Sequence, residues 1–155
     1  PEPKSNSANS SQPTQSQIRL ENSEARHTSR DQRVSSWVNW NICGWTEVKG
    51  IQFRRKDALW AYRRAKEGDT FELERDHGNA HDANAIMVRF NGRHVGFIDR
   101  KLAALAAKRF PSDMPIKAEF ISGYHSKKGY VRLTIQPLMP DAKSRKENGW
   151  VISQK

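Results

Sequence analysis

The pair Asn91-Gly92 stands between two apolar runs and restricts the possible folds more than any other feature of this chain. The flanking segments read AIMVRF (85–90) and RHVGFI (93–98). An Asn-Gly pair between such runs is the strongest short signal for a two-residue β-hairpin, because both residues tolerate positive φ. The sequence therefore predicts an antiparallel pair of strands joined at this turn.

Strand and helix signals flank this hairpin on both sides. Alternating apolar and polar residues predict further strands at 46–53, 70–76, 116–124 and 130–138. Helices are predicted over 58–67, where Asp57 can cap the first turn, and from Asp99 through an Ala- and Leu-rich segment. About six strands with two short helices predict an α+β fold that is mainly β, a strongly curved sheet or small barrel with the helices at its ends.

The two ends of the chain differ in composition from its middle. Residues 1–35 are rich in Ser, Asn and Gln and poor in apolar side chains, which predicts a disordered polar tail. Residues 36–138 form the predicted domain, and residues 139–155 form a basic, poorly patterned C-terminal extension. An aromatic lead-in at 36–45 carries three tryptophans, for which packing over an open edge of the barrel is favoured over an extended stacking surface.

The net charge of +10, from 27 Lys and Arg against 17 Asp and Glu, favours a polyanionic partner. Residues 1–35 hold five basic and four acidic side chains, so +9 belongs to residues 36–155. The alternative is that this charge serves solubility alone. No apolar run approaches the roughly 18 residues of a membrane span, so no membrane association is expected. Cys43 is the only cysteine, which indicates an intracellular, reducing compartment.

A polar segment, ERDHGNAHDANAI (74–86), lies between two predicted strands and admits several interpretations. His77 and His81 are four residues apart, which suits a metal site on a helix, but Gly78 between them disfavours a helix. No metal or other cofactor is therefore predicted. An inert turn, in which Asn79 and Asp82 satisfy the backbone amides of the loop, remains a serious alternative.

Residues 46–137 resemble the HIRAN domain family. The motifs that carry this resemblance begin V-x-G-x-x-F, continue with the polar segment and end at the strand G-x-x-V-G-F-I before an Ala/Leu-rich helix. The matching positions are Val48, Gly50, Phe53, Gly68, Asp69, Arg75, Asn79, Asp82, Asn84, Ala85, Ile86, Val88, Gly92, Val95, Gly96, Phe97 and Ile98. The family can carry a basic residue before the aromatic position, where this chain has Gln52, so Arg54 or Arg55 becomes the candidate for that contact.

The resemblance implies an OB-like fold and binding of single-stranded DNA, in at least some members by the 3′ end. Members occur fused to Swi/Snf-type helicases and nucleases, or alone in bacterial and phage proteins. It therefore implies a non-catalytic module of DNA repair or replication, with DNA 3′ ends as ligand and a helicase or nuclease domain in the same chain or a partner chain.

A DNA site can be assigned on this basis. The Asp82 carboxylate can accept a hydrogen bond from a 3′ hydroxyl and would repel a phosphate in the same place. Unpaired bases need flat partners, for which Phe53 and His81 are the main candidates and Phe97 and Tyr130 the weaker ones; core packing is the alternative for Phe97. The remaining predicted DNA-binding residues are Arg54, Asn79 and Arg100.

Two other functions stay open at this stage. One is a metal-dependent nuclease or phosphoesterase that uses His77, His81 and Asp82. The other is a protein-interaction module whose positive charge serves only solubility.

Overall fold

The computed structural model describes residues 32–154, which form a seven-stranded antiparallel sheet and three helices. The strands are β1 Trp37–Asn39, β2 Thr46–Glu47, β3 Thr70–Arg75, β4 Ile86–Phe90, β5 Arg93–Phe97, β6 Lys117–His125 and β7 Val131–Pro140. The helices are α1 Arg55–Arg64, α2 Arg100–Arg109 and α3 Ala142–Asn148, and a short 3-10 turn, Ile51–Phe53, precedes α1. The mainly β, OB-like fold is confirmed, with one strand and one helix more than the sequence predicts.

The sheet is an open path in the order β1-β7-β6-β3-β4-β5, and β2 pairs with β7 beside this path. The predicted hairpin joins β4 to β5, where Asn91 and Gly92 have φ of 49° and 84°. Positive φ at both turn residues gives the turn the twist that neighbouring strands require. This hairpin prediction is confirmed.

The segment after β2 connects two strands that are far apart in the strand path, β7 and β5. The Val48 amide donates to the Leu133 carbonyl of β7 at 2.9 Å, and Lys49 forms an isolated bridge with Phe97 of β5. The two hydrogen bonds of this bridge measure 2.7 and 2.8 Å. At Gly50, φ reaches +74° and the chain enters the 3-10 turn. The predicted strand at 46–53 is therefore correct for β2 and wrong from Gly50 onward.

Gly96 on β5 makes this close approach possible. A Cβ added there would lie 2.4 Å from the Lys49 carbonyl oxygen and 2.5 Å from Val48 Cγ1, closer than real Cβ contacts. Only a residue without a side chain lets the 48–49 segment lie against β5 at this point.

Aromatic residues of three neighbouring strands fill the centre of the core. The Phe71 ring of β3 stacks on Phe90 of β4, with centroids 4.7 Å apart, and on Phe120 of β6 at 5.4 Å. Trp40 is 2% exposed, packs edge-on against Phe110 and donates its indole N–H to the Leu138 carbonyl at 2.9 Å. Packing of the aromatic lead-in is thus confirmed for Trp40 and is wrong for Trp45, which is 66% exposed.

The described residues at both chain ends lie against the domain. The Ser35 amide donates to the buried Ser144 hydroxyl at 2.8 Å, although the sequence predicts that the tail continues to residue 35. The rest of the predicted tail, residues 1–31, lies outside the described residues. At the other end, β7 continues two residues past the predicted edge at 138, and Trp150 after α3 is 2% exposed.

None of the helices within residues 32–154 is long and apolar enough to cross a membrane.

Candidate functional site

Six of the eight predicted DNA-binding residues line one groove of about 470 Å³, which we call the Asp82 groove. These six are Arg54, Asn79, His81, Asp82, Phe97 and Arg100. They come from the residue that follows the 3-10 turn, the loop between β3 and β4, the end of β5 and the first turn of α2. Lys49 and Gly50 line the same groove and were not among the predicted residues.

The loop between β3 and β4 is held in shape by the side chain of Asn79. Its carbonyl oxygen accepts hydrogen bonds from the amides of His81 and Asp82, at 2.9 and 3.0 Å. Its amide nitrogen donates to an Asp76 carboxylate oxygen at 3.1 Å. The inert-turn interpretation is therefore correct about how the loop is held, and Asn79 serves to position His81 and Asp82.

The two carboxylate oxygens of Asp82 have different surroundings. Oδ1 accepts a hydrogen bond from the Asn84 amide at 2.9 Å, whereas Oδ2 lies 4.0 Å from the Arg100 Nε. The Asp82 side chain is 20% exposed. Within residues 32–154, Oδ2 accepts no hydrogen bond, since 4.0 Å exceeds hydrogen-bond length. One oxygen of Asp82 thus fastens the loop, and the other can accept a hydrogen bond from a ligand.

Arg100 connects helix α2 to this loop. Asp99 caps α2 as predicted, accepting hydrogen bonds from the Lys101 and Leu102 amides, so the position of Arg100 is set by the helix start. The Arg100 guanidinium donates to the His81 carbonyl at 3.3 Å, while its side chain remains 77% exposed. A cation in this place can contact a phosphate next to a group held by Asp82.

Phe97 contributes a half-buried aromatic surface to the groove. His94 packs edge-on against it with ring centroids 4.7 Å apart, and His94 Nε2 lies 2.8 Å from the Gly96 carbonyl oxygen. Burial, reinforced by the nearby Arg54 guanidinium, lowers the pKa of His94 below its usual value of 6.5. At neutral pH His94 is therefore an uncharged support for the Phe97 ring.

The other two predicted residues lie outside the Asp82 groove. Phe53 lies on the 3-10 turn with 82% of its surface exposed. Tyr130 directly precedes β7 and lines a different groove of about 410 Å³. Phe97 and Tyr130, the weaker of the aromatic candidates, thus line different grooves.

The residues of the metal hypothesis do not line one cavity either. His77 lines a small cavity of about 40 Å³, apart from the groove that His81 and Asp82 line. Across residues 32–154, no group of three or more His, Cys, Asp or Glu side chains is placed to hold a metal ion. Burial also raises the pKa of Cys43 to about 11, so this thiol is protonated at neutral pH.

The charges around the Asp82 groove favour an anionic ligand that also carries a hydrogen-bond donor. Three cationic side chains line it, those of Lys49, Arg54 and Arg100, against the single carboxylate of Asp82.

The sequence model of the HIRAN domain matches residues 43–138, more than half of the 155 residues. This chain belongs to the HIRAN family.

Solved structures with a similar fold include other HIRAN domains. A protein from Lactobacillus plantarum is 20% identical, with a TM-score of 0.47, and the match covers 67% of this chain and 97% of that one. The crystal structure of the human HLTF HIRAN domain is 20% identical, with a TM-score of 0.42 and coverage of 70% and 90%. The HLTF HIRAN domain in its DNA-bound conformation is 20% identical, with a TM-score of 0.44 and coverage of 77% and 91%. None of the curated proteins matches this chain.

Three residues at the Asp82 groove of this HIRAN domain were not predicted as site residues from the sequence. Lys49 reaches the groove through its bridge to Phe97, and Gly50 through the turn that follows. His94 lies beneath Phe97 because of a β-bulge, where the register shifts between Val88 and Arg89. The V-x-G spacing around Lys49 was a usable signal for the first two residues, whereas the bulge has no clear sequence mark.

Proposed function

We propose that this HIRAN domain binds single-stranded DNA at a free 3′-hydroxyl end and does not itself catalyse a reaction. The observation that carries the proposal is Asp82, which lines a groove together with three cations. One of its carboxylate oxygens is fastened to its own loop, and the other lies 4.0 Å from Arg100 Nε.

A carboxylate in this position distinguishes the end of a strand from its interior. An ionised carboxylate only accepts hydrogen bonds, and a terminal 3′ hydroxyl donates one. An internal nucleotide, or one that ends in a 3′ phosphate, places negative charge where that hydroxyl would lie, and Asp82 repels it. The discrimination therefore requires no contact with any particular base.

The other groove residues suit the remainder of a terminal nucleotide. Lys49, Arg54 and Arg100 can contact backbone phosphates, which position the strand. Phe97 and the exposed His81 offer ring surfaces to an unpaired base, and such stacking tolerates any sequence. Family membership supports DNA as the ligand, and one HIRAN domain, that of HLTF, is known in a DNA-bound conformation.

This function fits a module of DNA repair or replication in a reducing, intracellular compartment. Free 3′ ends arise where strands are broken or left incomplete. A helicase or nuclease domain, in the same chain or a partner chain, would act on the end that the HIRAN domain holds.

The test is fluorescence anisotropy at near-physiological salt with 5′-labelled single strands that end in either a 3′ hydroxyl or a 3′ phosphate. A hydrogen bond to a charged group contributes about 1.5–3 kcal/mol, so we expect a preference for the hydroxyl of roughly 10- to 150-fold. Equal affinity for both ends would contradict end recognition. Absence of binding to both would favour a protein-interaction module, and metal-stimulated cleavage of the strands would favour the nuclease hypothesis.

The matched variants are Asp82→Asn and Asp113→Asn. Asn at position 82 can still accept a hydrogen bond from the Asn84 amide but no longer repels a phosphate, so the preference should fall to a few-fold. Asp113 is exposed and does not line the Asp82 groove, so Asp113→Asn makes the same charge change and should keep the full preference. An unchanged preference in Asp82→Asn would remove Asp82 from the recognition of the end.

A further inference from the structure

A second groove meets the Asp82 groove at the turn before α1. We call it the Tyr130 groove, and among its lining residues are Glu47, Lys49, Gly50, Arg55, Tyr130 and Arg132. Lys49 and Gly50 line both grooves. The two cavities are therefore neighbours separated by the turn at 50–55.

Consecutive residues of this turn face different grooves. Arg54 lines the Asp82 groove, whereas Gln52 and Arg55 line the Tyr130 groove. Phe53 stands between them in sequence, lines neither groove and is 82% exposed. Phe53 is therefore an exposed aromatic ring on the turn whose other residues line the two grooves.

The Tyr130 groove carries the two chemical features that single-stranded nucleic acid requires. Lys49, Arg55 and Arg132 supply three positive charges against the one carboxylate of Glu47, a net lining charge of +2. Tyr130 is 55% exposed, and its ring centroid lies 6.4 Å from that of Tyr124, which is 47% exposed. Cations that follow a backbone and exposed rings that accept bases are how non-sequence-specific single-strand binders work.

Contacts within the protein hold two of these cations in place. Arg55 donates to the Gly129 carbonyl at 3.3 Å, which directs it toward the hairpin between β6 and β7. The Arg132 guanidinium lies 5.2 Å from the Tyr124 ring centroid, a cation–π arrangement on the same hairpin. The groove volume of about 410 Å³ lies in the range of pockets for small ligands.

We propose that the Tyr130 groove binds the nucleotides that precede the terminal ones in the same single strand, with Phe53 stacking on a base at the crossing. This inference rests on the proposed function, because the Asp82 groove must hold the 3′ end for the strand to continue into the Tyr130 groove. The two grooves then form one continuous track, in which the first recognises the end and the second increases affinity.

The test is the dependence of affinity on strand length, measured by isothermal titration calorimetry with unlabelled oligothymidylates of two, four and eight nucleotides. We expect the wild-type domain to gain roughly 5- to 150-fold between two and eight nucleotides for each further base that stacks. The double variant Tyr130→Ala/Arg132→Ala should lose most of this gain while keeping the affinity for the dinucleotide. A full gain in that variant would overturn the proposal.

Salt dependence provides a second, independent readout. For single strands the slope of log K against log salt changes by about 0.7 per phosphate contacted. Arg55→Ala and Arg132→Ala should each reduce the slope by about that amount with eight nucleotides and leave it unchanged with two. Arg63→Ala is the control, since Arg63 is exposed on α1, lies about 12 Å along the helix from Arg55 and lines neither groove. If all three variants showed the same slope of log K against log salt with eight nucleotides, the Tyr130 groove would not contact the strand and the proposal would be wrong.

Failure of the inference can be separated from failure of the proposed function. If wild type shows no preference for a 3′ hydroxyl, the proposed function fails. If that preference is present but length adds nothing, only the Tyr130 groove loses its role. A blunt duplex is the third ligand: if the double variant weakens duplex binding and spares long single strands, the groove accepts the complementary strand and our proposal is wrong.

Discussion

Replacing Gly96 by alanine tests whether the close approach of the 48–49 segment to β5 builds both the fold and the Asp82 groove. The new Cβ would lie 2.4 Å from the Lys49 carbonyl oxygen and 2.5 Å from Val48 Cγ1. Neither neighbour is the end of a flexible side chain, because one is backbone and the other is a methyl group of a 5% exposed core valine. Either the core absorbs the strain or the Lys49–Phe97 bridge opens.

Both responses cost a similar amount of free energy. Overpacking a core costs about 1–3 kcal/mol. Opening the bridge removes its two hydrogen bonds, at about 0.5–1.5 kcal/mol each, so that route also costs about 1–3 kcal/mol. With a urea m-value of about 2 kcal/mol/M, a loss of 2 kcal/mol lowers the unfolding midpoint by about 1 M.

The assay is equilibrium urea unfolding of Gly96→Ala, with Gly44→Ala as the matched control. A Cβ at Gly44 meets no atom within 4 Å, so the control should stay within about 0.5 kcal/mol of wild type. Because Lys49, Gly50 and Phe97 line the Asp82 groove, DNA affinity of folded Gly96→Ala should fall as well. A Gly96→Ala protein as stable as the control would refute the close-approach argument.

Two further predictions concern the exposed ring and the α3 cap. Phe53→Ala should leave the unfolding free energy within about 0.5 kcal/mol of wild type, because the 82% exposed ring packs on little of its own protein. The same variant should weaken single-strand binding roughly 5- to 150-fold, because one stacked base is lost. An unchanged affinity in the anisotropy assay would remove Phe53 from the interface. Hydrogen bonds from the Ser144 hydroxyl, the Ser36 hydroxyl and the Ser144 amide lower the pKa of Asp141 from 3.8 to about 2. Since the folded-state pKa is the lower one, this stabilisation is complete above about pH 5 and is lost as the pH falls toward 2. Asp141→Asn should therefore show a smaller drop in melting temperature between pH 5 and 2 than wild type, and parallel acid profiles would contradict the assignment.

The sequence by itself determined the structural elements that depend only on residues close together in the chain. The Asn91-Gly92 turn, the Asp99 cap of α2 and the alternation that buries Phe71 each depend on a few adjacent residues, so their chemistry can be read directly from the chain. The loop from Asn79 to Asp82 belongs to this class too, because its hydrogen bonds join residues two or three apart. The motifs of the HIRAN resemblance led to six residues that line the Asp82 groove.

Only the tertiary structure decided which distant segments meet. The position of Lys49 in the groove depends on its pairing with Phe97, 48 positions along the chain, which Gly96 permits. The separation of Tyr130 from Phe97 likewise follows from the sheet order, in which β6, β3 and β4 lie between β7 and β5. Alternation of apolar and polar residues within one strand predicts which residues share a face of that strand, but it does not predict which strand lies beside it. The pairing of strands is set by packing over the whole core, and this pairing placed the Asp82 groove and the Tyr130 groove side by side.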